Sequence, residues 1–321
     1  MTLRHKVLLA LGTASLGLLA WQIDADVVQS ALVRMGWGMA LIVGQESVAH
    51  LFNALAWRFA FAPGDARSFP LGELVRLRIA GDAINYLTPT GTLGGEVARA
   101  AMLGGARDPG VGAVSVIMAK STQTLARALF ITAGLLLVAS EWRAAVPAAL
   151  PWMIVGSLLL ALASYTFRSR WRAGASWVWR RAFGARVVAF VRRHPQRVAL
   201  STVMFTLGYA WGVFEAYWIC RLLGLTVPIA MAVAIEVLSI TVDGLLFMVP
   251  AKIGVQEGGK VAVFAALGLP VTFGFAFGIA RHVRELAWAT IGLLLYYALI
   301  GRDGVFFRRG ALGRARRPTA L

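Results

Sequence analysis

The chain has 321 residues, with 32 Lys and Arg against 15 Asp and Glu, for a net charge of +17. Yet 59% of it is hydrophobic and only 15% is charged, and its mean hydropathy is +0.70; a soluble domain has about 45–50% apolar and about 25% charged residues. This balance excludes an ordinary soluble enzyme, argues against nucleic acid as a partner, and assigns the excess basic residues to membrane surfaces.

Apolar runs of about 20 residues predict membrane-spanning helices. The first is residues 7–22, a retained helix rather than a cleaved signal, since no small-x-small site follows it. The second, residues 35–61, carries Glu46, His50, Asn53 and Arg58 and so cannot face lipid all round. Further spans are expected at 111–139, 147–167, 198–223 and 270–300. Residues 71–104 and 229–268 differ: each has a helical approach, a Pro/Gly-rich break and a helix of about a dozen residues, which rises roughly 18 Å, about half a bilayer. Irregular backbone at that depth survives only inside protein or beside water. Both segments are therefore expected to be re-entrant hairpins or broken helices.

The basic loops set the expected orientation. Residues 168–197 hold nine Arg and no acid; residues 301–321 hold six Arg and Asp303. Both belong in the cytoplasm with Arg4 and Lys6, which places both termini there and makes the first hairpin enter from the cytoplasm, the second from outside. Aromatics interleave with Arg in 168–197 (Trp171, Trp177, Trp179, Phe183, Phe190). This stretch reads either as an amphipathic helix on the anionic cytoplasmic leaflet or as a solvated basic loop.

Shifting the chain by 161 residues places Asp82 on Asp243, Pro89 on Pro250, Glu96 on Glu257, Arg99 on Lys260 and Lys120 on Arg281. Three full spans separate the hairpins, so the second copy is inverted, as in many secondary transporters. The expected architecture is an all-α polytopic membrane protein of six spans plus two re-entrant hairpins. It forms one domain: repeat 1 at about 35–140, the linker 168–197, repeat 2 at about 198–300, and the tail 301–321.

Eight acids fall inside membrane segments: Glu46, Asp82, Glu96, Glu215, Glu236, Asp243, Glu257 and Glu285. An ion at the bilayer centre costs at least about 2.5–3.5 kcal/mol, so these must pair or face a wet cavity. Bases available there are Arg58, Arg78, Arg99, Lys120, Arg127, Lys252, Lys260, Arg281 and Arg284. In the first break, Gly94 and Gly95 allow close backbone approach and the helix from Glu96 offers free N–H groups to an anion, with Arg99 one turn on. The second break offers Lys252, Gly254 and Lys260. Lys120 and Arg281 would complete each pocket. Equally, Glu96 and Glu257 would neutralise Arg99 and Lys260 in a purely structural role. Cys220 alone excludes a disulfide framework, and His5, His50, His194 and His282 show no metal-ligand spacing. No cofactor, metal or catalytic triad is expected.

At these residues the chain resembles the lysylphosphatidylglycerol synthase transmembrane, or flippase-like, family. The resemblance rests on Asn85-Tyr-Leu-Thr-Pro89, Gly94-Gly95-Glu96 and Arg99-Ala-x-x-Leu103. It rests also on Pro250-Ala-Lys-Ile-Gly254-Val-Gln-Glu257-Gly258, with Phe264, Gly268 and Arg281. It implies an inner-membrane protein that moves a lipid between leaflets; full-length members flip aminoacylated phosphatidylglycerol and carry a soluble synthase domain. The chain ends about 20 residues after the last span, so lipid aminoacylation is not expected. Stand-alone members include proteins of hopanoid loci, which this chain resembles in length. The implied function is a non-enzymatic flippase for a phospholipid or hopanoid with an anionic or zwitterionic headgroup. Its partners would be membrane lipids, with a second copy or a lipid-biosynthesis enzyme left open; the alternative is an accessory scaffold for a lipid-modifying enzyme.

Overall fold

The structure is a computed structural model, which describes residues 30, 33–88, 94–104, 109–141, 184–245 and 255–314. The expected spans 7–22 and 147–167 and most of the linker lie outside these residues. The described part is helical throughout, without a strand. In chain order the helices are α1 (Gly38–Phe59), α2 (Pro63–Arg67), α3 (Leu71–Leu87), α4 (Gly94–Gly104), α5 (Pro109–Glu141), α6 (Ala185–Arg193), α7 (Pro195–Leu222), α8 (Ile229–Leu245), α9 (Val255–Ala266) and α10 (Val271–Arg314).

The boundaries have local causes. Pro63 and Pro195 open α2 and α7, where a missing N–H costs nothing. Thr88 turns extended before Pro89, and its hydroxyl donates to the Ile84 carbonyl at 2.6 Å, closing α3. Gly224 and Gly268, at φ +87° and +68°, end α7 and α9 in left-handed turns. Leu225 N–H then reaches the Cys220 carbonyl and Leu269 N–H the Phe264 carbonyl, the Schellman arrangement. α10 runs on to Arg314, so much of the expected basic tail continues the last helix.

The helices pack in antiparallel pairs that correspond under the 161-residue shift. α1 lies on α7: Gly38 meets Leu222, Trp211 Nε1 donates to Gln45 Oε1 at 2.6 Å, and Arg197 donates to the Arg58 carbonyl at 2.8 Å. α3 lies on α10, where Gly292 abuts Ile79 and the Tyr86 and His282 rings meet edge-on at 6.5 Å. α8 lies on α5 in the matching register, with Gly134 against Val237 and Gly244 beside Arg127. α4 and α9 are tucked against α5 and α10, respectively.

Two apolar cores sit at opposite ends. One gathers Met35, Ile42, Ile219, Leu223, Phe264 and Phe277. The other gathers Trp57, Phe61, Phe69, Leu74, Met118 and Phe205. On α1 they leave an interval from Val43 to Asn53, and on α7 one from about Gly208 to Gly212; these intervals are the mid-points of both helices. The polar residues collect there. Among the described residues, α7 alone is long and apolar enough by composition to cross a membrane; the others carry charged or amide side chains mid-length.

Candidate functional site

Each helix pair brings an aspartate to the cation 17 residues later. In the first, Arg99 of α4 donates to Asp82 of α3. In the second, Lys260 of α9 donates to Asp243 of α8 at 2.7 Å. Arg99 is 2% exposed and Lys260 0%, so each ion sits in protein and needs its carboxylate.

The first pair builds a chain of contacts. Arg78, one turn before Asp82, holds it at 3.1 Å. Arg99 also holds Glu96 at 2.5 Å, and Lys120 of α5 holds the other Glu96 oxygen at 2.9 Å. Asn85 donates to Glu96 at 3.2 Å and accepts from Gly95 N–H at 2.7 Å. Gly95 lets this happen: a Cβ there would run into the Gly81 carbonyl and the Asn85 amide. Asp82, Asn85, Gly95, Glu96, Arg99 and Lys120 thus come together, and Gly94 opens α4. Pro89 lies outside the described residues.

The second pair departs from the expectation. Glu257 bonds the Nδ1 of His282, and Lys260 bonds Asp243. Arg281 does not complete a pocket with Glu257. It turns to Glu236 of α8 and Glu215 of α7, the latter at 3.4 Å. The physical reason lies on the neighbouring helices: Glu215 and Glu236 occupy positions whose first-half equivalents are Ala54 and Val75. Arg281 therefore meets acids of α7 and α8, whereas Lys120 meets Glu96 of α4. Pro250, Lys252 and Gly254 lie outside the described residues.

Between the pairs, at mid-height, is a cavity of about 350 Å³. Its charged lining comprises Glu46, Asp82, Glu215, Glu236, Asp243 and Glu285 with Arg78, Arg127, Arg281 and Arg284. Arg284 is the hub of its α10 wall, holding Glu215, Glu46 at 2.9 Å and Glu285 at 3.4 Å. It ties α10 to α1 and α7 at once. The lining is lopsided: on the α3 side Arg78 faces Asp82, whereas around α10 Arg281 and Arg284 face Glu46, Glu215, Glu236 and Glu285. Glu96, Arg99 and Lys120 line a separate crevice with Arg78 and Gln123.

Sequence reasoning left His50 out of the site. It is 7% exposed, lines the cavity, and neither ring nitrogen has a hydrogen-bond partner. Its Nδ1 stands 3.9 Å from Asp82 Oδ2 and its ring 4.5 Å from that of Trp288. The available signal was its spacing from Glu46 and Asn53 on one face of α1. Among the described residues no group of His, Cys, Asp and Glu is arranged to hold a metal ion.

The family model described as lysylphosphatidylglycerol synthase TM region matches residues 6–293. No curated protein and no solved structure matches the chain.

Proposed function

The chain belongs to the lysylphosphatidylglycerol synthase TM-region family, a membrane family related to lipid handling, and on that premise we propose that it is a flippase whose mid-height cavity carries a lipid headgroup between leaflets. The observation that carries this reading is a charged cavity placed at the mid-points of α1 and α7, between two apolar cores. A volume of about 350 Å³ suits a headgroup, at the small end of the roughly 300–1,000 Å³ of ligand pockets. The acyl chains would stay in hydrocarbon.

The repeat supports the same reading. α1 and α7 are equivalent under the 161-residue shift and run antiparallel, which supports two halves related by inversion, the arrangement of transporters that rock about a central site. α4 and α9, 11 and 12 residues long, rise roughly 16–18 Å, which suits re-entrant helices. Exposed apolar residues on α5, α7 and α10, among them Leu129, Leu136, Phe214, Trp218 and Leu294, would face lipid. The lopsided charge favours a headgroup with a phosphate turned to Arg78 and a cationic group turned to the acids around α10. The basic segments support a bacterial inner-membrane protein with both termini in the cytoplasm. The chemistry asked of these residues is binding and release rather than bond-making.

The test is a leaflet assay in proteoliposomes. Acyl-labelled lipids with anionic, zwitterionic and cationic headgroups are followed by quenching of the outer leaflet. The wild type is expected to scramble at least one class, and Glu96→Gln/Glu257→Gln to lose it. Equal scrambling by both proteins would falsify the proposal.

A further inference from the structure

α6 stands apart from the cavity and has its own chemistry. Its sequence, ARVVAFVRR, holds three arginines and no acid. One side anchors it: Phe190 is buried with Val187 in the core that contains Trp57 and Phe205. The other side carries Val188, 52% exposed, and Val191, 42% exposed, beside Arg186, Arg192 and Arg193. None of these three guanidiniums has a hydrogen-bond or ion-pair partner among the described residues. The nearby Arg197 differs, because it is spent on the Arg58, Phe59 and Phe61 carbonyls at the end of α1.

The height of α6 follows from α7, to which a single residue, His194, joins it. α7 exposes Leu200, Val203, Leu207, Phe214 and Trp218. From Leu200 to Trp218 the helix rises about 27 Å, close to the roughly 30 Å hydrocarbon thickness. The C-terminal end of α6 stands seven residues before Leu200, about 10 Å beyond the apolar stripe along α7, which puts that end in the headgroup zone. A shallow groove of about 490 Å³ runs along it, lined by Gly184, Ala185, Val188, Ala189, Arg192 and Arg193.

We propose that α6 is a binding site for an anionic glycerophospholipid at the bilayer surface, with its phosphodiester held by Arg186, Arg192 and Arg193 and an acyl chain laid along Val188 and Val191. Long basic side chains beside apolar ones suit that boundary: the stems lie on hydrocarbon and the heads reach phosphate. Each arginine is worth about fivefold in preference for an anionic surface. The site is independent of transport through the cavity.

The experiment uses the full chain in micelles doped with equal phosphatidylglycerol and phosphatidylcholine, reading retained lipid by native mass spectrometry. The wild type should retain an excess of phosphatidylglycerol. R186Q/R192Q/R193Q should lose that excess by on the order of 100-fold, whereas R314Q/R316Q/R317Q, with the same charge removed from the tail, should keep it. The charge-retaining R186K/R192K/R193K should keep most of it, and R192Q alone should lose about fivefold should the triple Gln variant fail to fold. An unchanged ratio in R192Q and the triple Gln protein overturns the proposal. So does displacement of the lipid by millimolar inorganic phosphate, which would mark a soluble-anion site. Glu96→Gln/Glu257→Gln should leave the ratio unchanged, which separates failure here from failure of the transport reading.

Discussion

Arg284 offers the sharpest test of how the cavity is held together. It is 9% exposed and bridges Glu46, Glu215 and Glu285. At 2.9 Å and an effective dielectric of about 20, the Glu46–Arg284 attraction alone is roughly 6 kcal/mol. Burying each ion costs several kcal/mol, so the intact pair nearly cancels. Removing one partner does not. Arg284→Met strips Glu46 of its ion-pair partner and leaves Glu215 with Arg281 alone, at 3.4 Å. The expected loss is about 3–5 kcal/mol of stability. Glu46→Gln alone should cost about 1 kcal/mol, since the amide oxygen still accepts from Arg284. The double variant Arg284→Met/Glu46→Gln should be more stable than the sum of the singles by about 1–3 kcal/mol. Equilibrium unfolding in mixed micelles with increasing SDS reads this through intrinsic fluorescence, for which the chain has 11 Trp. Additivity within about 0.5 kcal/mol would refute the idea that Arg284 is held by Glu46.

Three further outcomes are expected. Gly95→Ala should separate α3 from α4 because its methyl meets the Gly81 carbonyl, giving a protein less stable by more than about 1 kcal/mol. By contrast Gly44→Ala, with nothing within 4 Å, should be stabilised by about 0.5–1 kcal/mol; the same unfolding titration compares them. Trp57→Ala, which empties a 1% exposed site and removes the Nε1 hydrogen bond to Ser115 at 3.3 Å, should lose about 3–5 kcal/mol. Lys120→Met should change stability by only about 1 kcal/mol, because its side chain is 28% exposed and Glu96 keeps Arg99 and Asn85. Its scrambling rate in proteoliposomes should nevertheless drop at least tenfold if Lys120 receives phosphate; an unchanged rate would remove it from the site.

Much of this architecture is written in local patterns. The broken helices at 71–104 and 229–268 announce themselves through Pro and Gly, and the structure places helices at Leu71–Leu87, Gly94–Gly104, Ile229–Leu245 and Val255–Ala266. Helices stand where spans are expected at 35–61 and 198–223, namely Gly38–Phe59 and Pro195–Leu222, the latter alone among the described residues long and apolar enough to cross a membrane. Partner choice among the charges is another matter. Sequence spacing favours Glu257 for Lys260, three residues apart, yet Lys260 takes Asp243, 17 residues back. Helix spacing shows which charges share a face, but not which neighbouring helix turns a carboxylate toward them. His50 escaped notice for the same reason: a lone histidine gains meaning only when Asp82 and Trp288 arrive beside it from α3 and α10.

The two halves divide their labour by what they share. Equivalent positions supply the Asp82–Arg99 and Asp243–Lys260 pairs, and both clamp a short helix onto a longer one. These pairs set geometry, and they are nearly neutral charge for charge. Asp82 and Asp243 reach the cavity from both halves, but most of its other charged lining sits at positions that differ between them. Arg284 stands where the first half has Gln123, Glu285 where it has Thr124, and Arg78 where the second has Ser239. The shared pairs hold the scaffold, and positions that differ give the cavity most of its charge. Under the proposed transport reading, a headgroup in this cavity would meet a different wall on each side. Exchanging clamp residues for their counterparts, as in Lys260→Arg, should accordingly preserve headgroup selectivity. Exchanging lining residues, as in Arg284→Gln with Glu285→Thr, should alter it; identical selectivity profiles across the lipid panel for both exchanges would contradict this division.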